Sequence, residues 1–364
     1  ILVIIFENRN PVKTIAWCMV LTFMPVIGLL LYILFGMDNR HRRQIKDEDL
    51  SRLKGITEIT QSDDILSEMP VPQKPLADML RKMNKSFLLS GNDVEIITDF
   101  QTMSDRLIAD IEGARHHINM LFFKFEDDAA GRRIADALIR KSEEGVQVRL
   151  IYDDAGNLMV PRRFYRKLRK HGIQVRGFIR IFLPILSRDY NSRNHRKVVV
   201  IDGRVGYMGG MNIAQRYAEG LKWGIWRDTH MRITGPAVSE LQTSFLTDWK
   251  FTKGDEPDLD PMYPYNPPCG NTLMQIVTGG PMDKWNAMMQ AYMTAIVSAR
   301  SYAYLQSPYF IPPEPIMKVL QNAALSGVDV RVMIPYRGDK GVLPPWASRS
   351  YIKEALNAGI RMYM

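Results

Sequence analysis

The chain has 364 residues, enough for two domains with separate cores, and a formal net charge of +9 that suits an anionic partner, nucleic acid or acidic lipid, as well as plain solubility. Its two cysteines, Cys18 and Cys269, lie far apart in no paired pattern, which excludes a disulfide framework and fits a reducing compartment. The first residue is Ile1 rather than Met and the last, Met364, ends an apolar run, so the chain reads as a fragment at both ends.

Residues 1–6 are wholly apolar and are expected to be the end of a truncated transmembrane helix. After a polar loop, Ile15 to Phe35 is 21 residues without a charge, the length a bilayer crossing needs, and Pro25 within it is tolerable in lipid. A transmembrane helix is expected over 15–36. The alternative, a buried core helix, rarely runs so long without charge, and no small-residue cleavage site marks a signal peptide. Cations cluster after the span, at Arg40, Arg42, Arg43 and Lys46, against Arg9 and Lys13 before it. The positive-inside rule then places the C-terminal part in the cytoplasm of a multi-pass protein of the inner cell membrane.

Residues 38–85 are charged, carry Pro70, Pro72 and Pro75, and read as a juxtamembrane linker. From 86 the texture becomes that of an α/β domain. Strand patterns at Val94–Ile97, Ile118–Phe125 and Val146–Ile151 alternate with helix-period segments holding Leu107, Ile108 and Ile111, then Ile134, Leu138 and Ile139. Such alternation predicts mostly parallel pairing with helices packed on the sheet. The pattern then returns. Ala114–Phe125 reads like Ala299–Phe310, Gly145–Arg149 like Gly327–Arg331, and Gly172-Ile173 like Gly359-Ile360. Three matches in order at nearly constant offset predict a duplicated domain: 86–252 the first copy, the proline-rich 253–271 a linker, and 272–364 a second, incomplete copy.

The chemistry-bearing stretch is His195-Arg196-Lys197 at the head of the apolar run Val198–Ile201, closed by Asp202 and followed by Gly209-Gly210-Met211-Asn212. Residues two apart on a strand share a face, so an imidazole and an ammonium open on one pocket. Displacing an alcohol from a phosphodiester needs a nucleophile, an acid for the leaving alkoxide, and positive charge for the equatorial oxygens. Neutral imidazole serves the first need, and Lys197 supplies charge in place of a metal. A Gly209-Gly210 turn lets the backbone approach closely, and Asn212 could donate to the same oxygens.

The pattern His-x-Lys-x4-Asp with Gly-Gly-x-Asn resembles the phospholipase D superfamily, whose members carry two such elements on duplicated domains, and within it bacterial cardiolipin synthases. The likeness extends over Glu7–Pro11, Tyr152–Gly156, Arg193–Lys197, Trp226–His230 and Ser307–Pro312. It implies a membrane-anchored protein of two tandem phospholipase D-type α/β repeats, each a mixed sheet flanked by helices, the second truncated. It also implies transfer of a phosphatidyl group through a phosphohistidine. With phosphatidylglycerol as donor and acceptor, the products are cardiolipin and glycerol. The second His-x-Lys element is expected beyond Met364, so these residues hold half of a duplicated site.

Catalytic roles are expected for His195, Lys197, Asp202 and Asp228, and phosphate binding for Lys197, Asn212, Gly209 and Gly210. Asp202 carries a competing reading. Asp202-Gly203 between two apolar runs is the composition of a tight hairpin turn, and its parity points it away from His195 and Lys197. The carboxylate that fixes the imidazole tautomer is then Asp228, in agreement with the resemblance. Cys-x-x-Cys and His-Glu-x-x-His are absent, and the adjacent His116 and His117 would face opposite ways, so no metal site and no cofactor is expected. His230 is a weaker candidate to line the pocket. Arg162 to Lys170 crowd a helix with six cations beside the apolar Phe178–Leu186, which reads either as a surface for anionic headgroups or as a solvated face beside a core segment. The competing functions are hydrolytic phospholipase D, a nuclease of the same superfamily, which the span and the repeat oppose, and an inactive membrane-bound lipid-binding fragment. Nucleic acid is not an expected partner.

Overall fold

The protein is described by a computed structural model covering residues 4, 11–32, 36, 73–179, 193–222, 224–280, 283, 285–338, 341 and 343–364. The elements are α1 (Pro11–Phe23), α2 (Pro25–Leu31), α3 (Lys74–Asn84), β1 (Leu88–Ile97), α4 (Phe100–Glu112), β2 (His117–Phe122), α5 (Ala129–Glu143), β3 (Gln147–Asp153), α6 (Arg162–Lys170), β4 (Gln174–Phe178), β5 (Lys197–Ile201), β6 (Val205–Gly209) and α7 (Gln215–Glu219). They continue with β7 (His230–Thr234), α8 (Val238–Phe251), β8 (Thr272–Gln275), α9 (Ala287–Ser298), β9 (Tyr302–Gln306), α10 (Glu314–Leu325), β10 (Asp329–Met333), α11 (Leu343–Ser350), α12 (Ile352–Asn357) and β11 (Arg361–Tyr363). The chain divides into two compact units, residues 1–60 with 89–274, and residues 61–88 with 275–364.

The uncharged run expected as one transmembrane helix over 15–36 forms two short helices. Met24 leaves helical conformation at φ −135°, and Pro25, with no N–H to bond backwards, starts α2. The Trp17 and Tyr32 rings lie 5.4 Å apart, so the chain turns back on itself at this break. No helix among the described residues is long and apolar enough to cross a membrane. The expected helix end at 1–6 lies outside the described residues except for Ile4, as does 38–72 of the expected linker. The rest of that linker contains α3.

The first unit is built on a sheet ordered β4-β3-β2-β5-β6-β7-β1-β8. β2, β3 and β4 are parallel, joined through α5 and α6, while the pairs β2–β5, β5–β6, β6–β7 and β7–β1 are antiparallel. The mostly parallel sheet expected from strand–helix alternation is therefore a mixed one. The three-residue link from β5 to β6, Asp202 to Arg204, is too short for a parallel crossover, so that pair must be antiparallel. The helices begin where the sequence supplies caps: Asp99 accepts from Thr102 N–H ahead of α4, and Asp128 from Gly131 N–H ahead of α5. Their apolar stripes, Phe100, Met103, Leu107 and Ile111, then Ile134 and Leu138, meet Met120, Phe122, Val199 and Tyr207 on one face of the sheet. On the other face Phe245, Leu246 and Trp249 of α8 cover Leu121 and Ile151. Covered on both sides, β5 is buried at every position, which is why Val198–Ile201 is apolar without alternation.

In the second unit β11, β10 and β9 form an all-parallel sheet in the order β11-β10-β9, around a core that includes Leu320, Val330, Val332 and Ile360. That order matches β4-β3-β2. Tyr302 follows His117 by 185 residues, Asp329 follows Gln147 by 182, and Arg361 follows Gln174 by 187, as in the sequence matches.

His117 is fully buried at the start of β2, whereas its neighbour His116 is exposed. Burial pushes the His117 pKa from 6.5 down to about 4, against the upward pull of the Asp202 carboxylate. The unfolded chain therefore takes up this proton first as the pH falls. Stability present above pH 6.5 is lost between about 6.5 and 4, by about 3 kcal/mol in all. Chemical denaturation at pH 7 and pH 4.5 is expected to show this loss in the parent protein and a smaller one in His117→Gln.

Candidate active site

One end of the first sheet gathers the chain's candidate residues. β2, β3, β4 and β6 end there, while β5 and β7 begin there. Lys197, the first residue of β5, pairs with Phe122, and Gly209, the last of β6, pairs with His230, the first of β7. On this face Gly209 lies between Lys197 and His230, so no side chain separates the two. A Cβ at Gly209 would fall 2.6 Å from His230 Nδ1, and one at Gly210 would collide with Asp228 Oδ1. The two glycines are therefore required by close packing. They admit the imidazole and the carboxylate that arrive on the segment entering β7.

His195 is exposed, two residues ahead of Lys197, which is buried. The Lys197 ammonium donates to the His195 carbonyl at 2.6 Å and lies 3.2 Å from His195 Nδ1. An ammonium can only donate, so Nδ1 is the acceptor in this arrangement and the ring proton sits on Nε2. The Phe123 ring forms the floor, with its centroid 4.6 Å from the imidazole and 5.4 Å from the ammonium.

Two buried carboxylates fix the segment that carries His195. Asp153, at the end of β3, accepts from the Asn194 backbone N–H at 3.0 Å and from Gly156 N–H at 2.9 Å. Asp248, on α8, accepts from the Asn194 side-chain amide at 2.9 Å and forms an ion pair with Arg196. Residues 194 and 196 thus point into the protein while 195 points out. The signal for Asp153 was its place in Tyr152–Gly156. Asp248 carried none, being one of several polar residues, with Glu240, Gln242 and Thr243, on a helix that no sequence motif singles out.

Asp228 is half-buried, and its Oδ1 accepts from Thr229 N–H at 2.7 Å. Burial raises its pKa above the usual carboxylate range, while the Thr229 N–H, Lys197 and Arg227 pull it back down. His230 is fully buried with neither ring nitrogen hydrogen-bonded, and burial, assisted by the Lys197 charge, pushes its pKa down to about 3. It is a neutral imidazole at every physiological pH.

Asn212 is buried beside the site, and its carboxamide is largely engaged. Its oxygen accepts from Lys124 N–H at 3.0 Å and its nitrogen donates to the Tyr217 hydroxyl at 2.7 Å, leaving one N–H. It holds the chain next to Phe123. Asp202 is not brought to the site. It lies beyond the other end of β5 with φ +52°, followed by Gly203 at φ +63°, and forms the β5–β6 turn. Its carboxylate accepts from the backbone N–H groups of Arg115, His116 and His117 at 2.7–2.9 Å. The length of the strand separates it from His195, so the catalytic expectation for Asp202 gives way to the turn reading. Among the described residues no group of His, Cys, Asp and Glu could hold a metal ion.

Residues 107–249 and 292–364 match the family described as "Cardiolipin synthase, PLD-like domain", and residues 1–36 match "Phospholipase D-nuclease N-terminal". The whole chain is similar to the major cardiolipin synthase ClsA of Bacillus subtilis, with 37% identity over 377 residues and 78% of that protein covered. It is similar to the cardiolipin synthase of Geobacillus kaustophilus to the same degree, with 73% of that protein covered. In fold it resembles phosphatidylserine synthase of Haemophilus influenzae, at a TM-score of 0.54 and 15% identity over 80% of this chain and 77% of that one.

Replacing Asp202 with Ala removes the shared acceptor of three backbone N–H groups. It is expected to lower stability by about 2–4 kcal/mol, read by chemical denaturation. Turnover per folded molecule should change by less than about threefold.

Proposed function

Because this chain belongs to the phospholipase D-like cardiolipin synthase family, we propose that phosphatidyl transfer runs through His195, with Lys197 as phosphate anchor and Asp228 as the carboxylate that orients the imidazole. The chain is a cardiolipin synthase-like phosphatidyltransferase. The observation that carries the residue assignment is the exposed His195 held against the buried ammonium of Lys197, at the sheet end where Asp228 enters. In this reading the phosphodiester of one phosphatidylglycerol binds over Phe123. The ammonium turns from Nδ1 to the phosphate oxygens, and the ring proton moves to Nδ1, facing the Asp228 carboxylate.

Nε2 then attacks phosphorus: an N–P bond forms and the P–O bond to the headgroup glycerol breaks. The leaving alkoxide takes a proton from an acid, in this family reading the histidine of a second such element, and departs as glycerol. The headgroup hydroxyl of a second phosphatidylglycerol gives its proton to that same second histidine, now deprotonated, and attacks phosphorus, the N–P bond breaks, and cardiolipin is released. The remaining N–H of Asn212 and the backbone at Gly209 and Gly210 stand at the edge of the same site and are assigned to the phosphate oxygens. Hydrolysis would share the first step and differ only in the second nucleophile.

The two units are read as tandem repeats, supported by the common strand order and the offsets of 182–187 residues between corresponding strands. The uncharged run from Ile15 to Phe35 is assigned as the membrane anchor. The cations at 40–46 support a cytoplasmic side for the catalytic unit, where an anionic lipid substrate and acceptor would lie in the plane of attachment.

The protein reconstituted with labelled phosphatidylglycerol liposomes is expected to yield cardiolipin and glycerol; phosphatidic acid as the product would overturn the reading. Asp228→Asn should lower turnover by about 100-fold or more with little loss of stability. The ionised carboxylate is the working form, so activity of the parent protein should rise with pH through the elevated Asp228 pKa and fall on the acid side. Near-normal rates for the Asn variant would remove Asp228 from the mechanism.

A further inference from the structure

The segments flanking His195 project apolar side chains into solvent beside exposed cations. In the turn after β3, Leu158 is 51% and Met159 95% exposed. This turn belongs to the site end of the sheet: Asn157 donates to the Phe123 and Asp153 carbonyls at 2.8 and 2.7 Å and accepts from Phe125 N–H at 2.9 Å. A second tip, Ile225 at 94% exposure, stands three residues ahead of Asp228, next to Trp226, whose ring packs 5.0 Å from Tyr217. Both tips are thus held on rigid bases beside the exposed histidine.

The helix that follows the first tip carries charge against its own interest. Arg162 and Arg163 occupy the first turn of α6, where the helix dipole is already positive, behind Pro161, which offers no side-chain cap. Arg162, Arg163, Arg166 and Lys170 are exposed and form no ion pair among the described residues, while Lys167 pairs with Asp136 and Arg169 donates to the Val175 carbonyl. In the second unit α11 and α12 occupy the corresponding place with only Arg349 and Lys353 as cations. Neither helix stability nor the fold calls for this density of positive charge. Of the Phe178–Leu186 stretch, Phe178 and Ile179 are buried in the core, and the remainder lies outside the described residues.

We propose that this rim, with Leu158, Met159 and Ile225 as apolar tips and Arg162, Arg163 and Arg166 as headgroup contacts, seats the catalytic unit on the surface of an anionic bilayer. Short apolar side chains enter the headgroup boundary while cations meet the phosphates around them. The inference rests on the reading of His195 as the reacting residue. Docked in this way, the histidine faces headgroups at the depth of their phosphodiesters, and a lipid reaches it without leaving the membrane.

The test compares phosphatidylglycerol in vesicles with dihexanoyl phosphatidylglycerol dissolved as monomers. Met159→Ser with Ile225→Ser, and separately Arg162→Gln with Arg163→Gln and Arg166→Gln, should each lower turnover on vesicles at least tenfold while leaving turnover on the monomeric lipid within about twofold. In a Cys18→Ser, Cys269→Ser background, an environment-sensitive dye on the thiol introduced by Met159→Cys should shift to the blue with phosphatidylglycerol vesicles. It should stay unshifted with phosphatidylcholine vesicles, glycerol phosphate or single-stranded DNA. Vesicle and monomer rates that fall together, vesicle rates that do not fall, or a dye shift with DNA would each overturn the proposal. A parent protein that carries the second His-x-Lys element and is inactive on both lipids would refute the transferase reading, and the dye would still decide whether the rim meets a bilayer.

Discussion

An imidazole exposed to solvent can attack a particular phosphorus only if the chain that carries it is held still, and here two buried carboxylates do the holding. Asp153 takes the backbone N–H of Asn194, and Asp248 takes that residue's side-chain amide and the guanidinium of Arg196. Such charge-assisted bonds in a poorly hydrated place are strong and leave few alternative arrangements. Burial pushes the Asp153 pKa upward, and the N–H groups of Gly156 and Asn194 pull it back. The anchor is therefore a carboxylate whose ionised form depends on the segment it anchors, and the loss of either disturbs both.

The rest of the unit follows from that constraint. With residues 194 and 196 drawn inward, 195 must face out, and Lys197 enters the sheet on the same side as the imidazole. A buried ammonium is costly unless its donors are used, and it meets the His195 carbonyl, the Nδ1 lone pair and the face of Phe123. The glycines of β6 and its end clear the space beyond. A side chain at Gly209 would collide with His230, and one at Gly210 with the Asp228 carboxylate. The cluster is thus bounded on one side by what two carboxylates hold and on the other by what two glycines omit.

Much of this was legible in the residues. The apolar run Val198–Ile201 announced a strand at the site, and recurrence near 185 residues anticipated the repeated parallel strand order of the second unit. The hairpin composition of Asp202-Gly203 placed that carboxylate in a turn, where it caps the start of β2. Other features were not legible. Strand–helix alternation suggested a mostly parallel sheet because periodicity reports which faces are buried and not which neighbour a strand finds. Asn212 was read as a donor to phosphate, and most of its hydrogen-bonding capacity goes to Lys124 and Tyr217. The uncharged run Ile15–Phe35 read as one helix by length, whereas the local geometry at Met24 and Pro25 divides it in two.

The sequence by itself determined which residues are candidates for the site, since only certain side chains can attack phosphorus or neutralise its oxygens, and the spacing His195-x-Lys197 puts both on one side of an extended chain. It also carried the recurrence that matches the strand order shared by β4-β3-β2 and β11-β10-β9, because a repeated pattern of buried faces survives in the order of apolar residues. Only the tertiary structure decided which acids stand around those residues. Asp153, Asp228 and Asp248 come from the end of one strand, the approach to another and the middle of a helix, at separations of 20 to more than 90 residues along the chain. A carboxylate's role depends on what lies within about 3 Å of it, and that distance is set by folding.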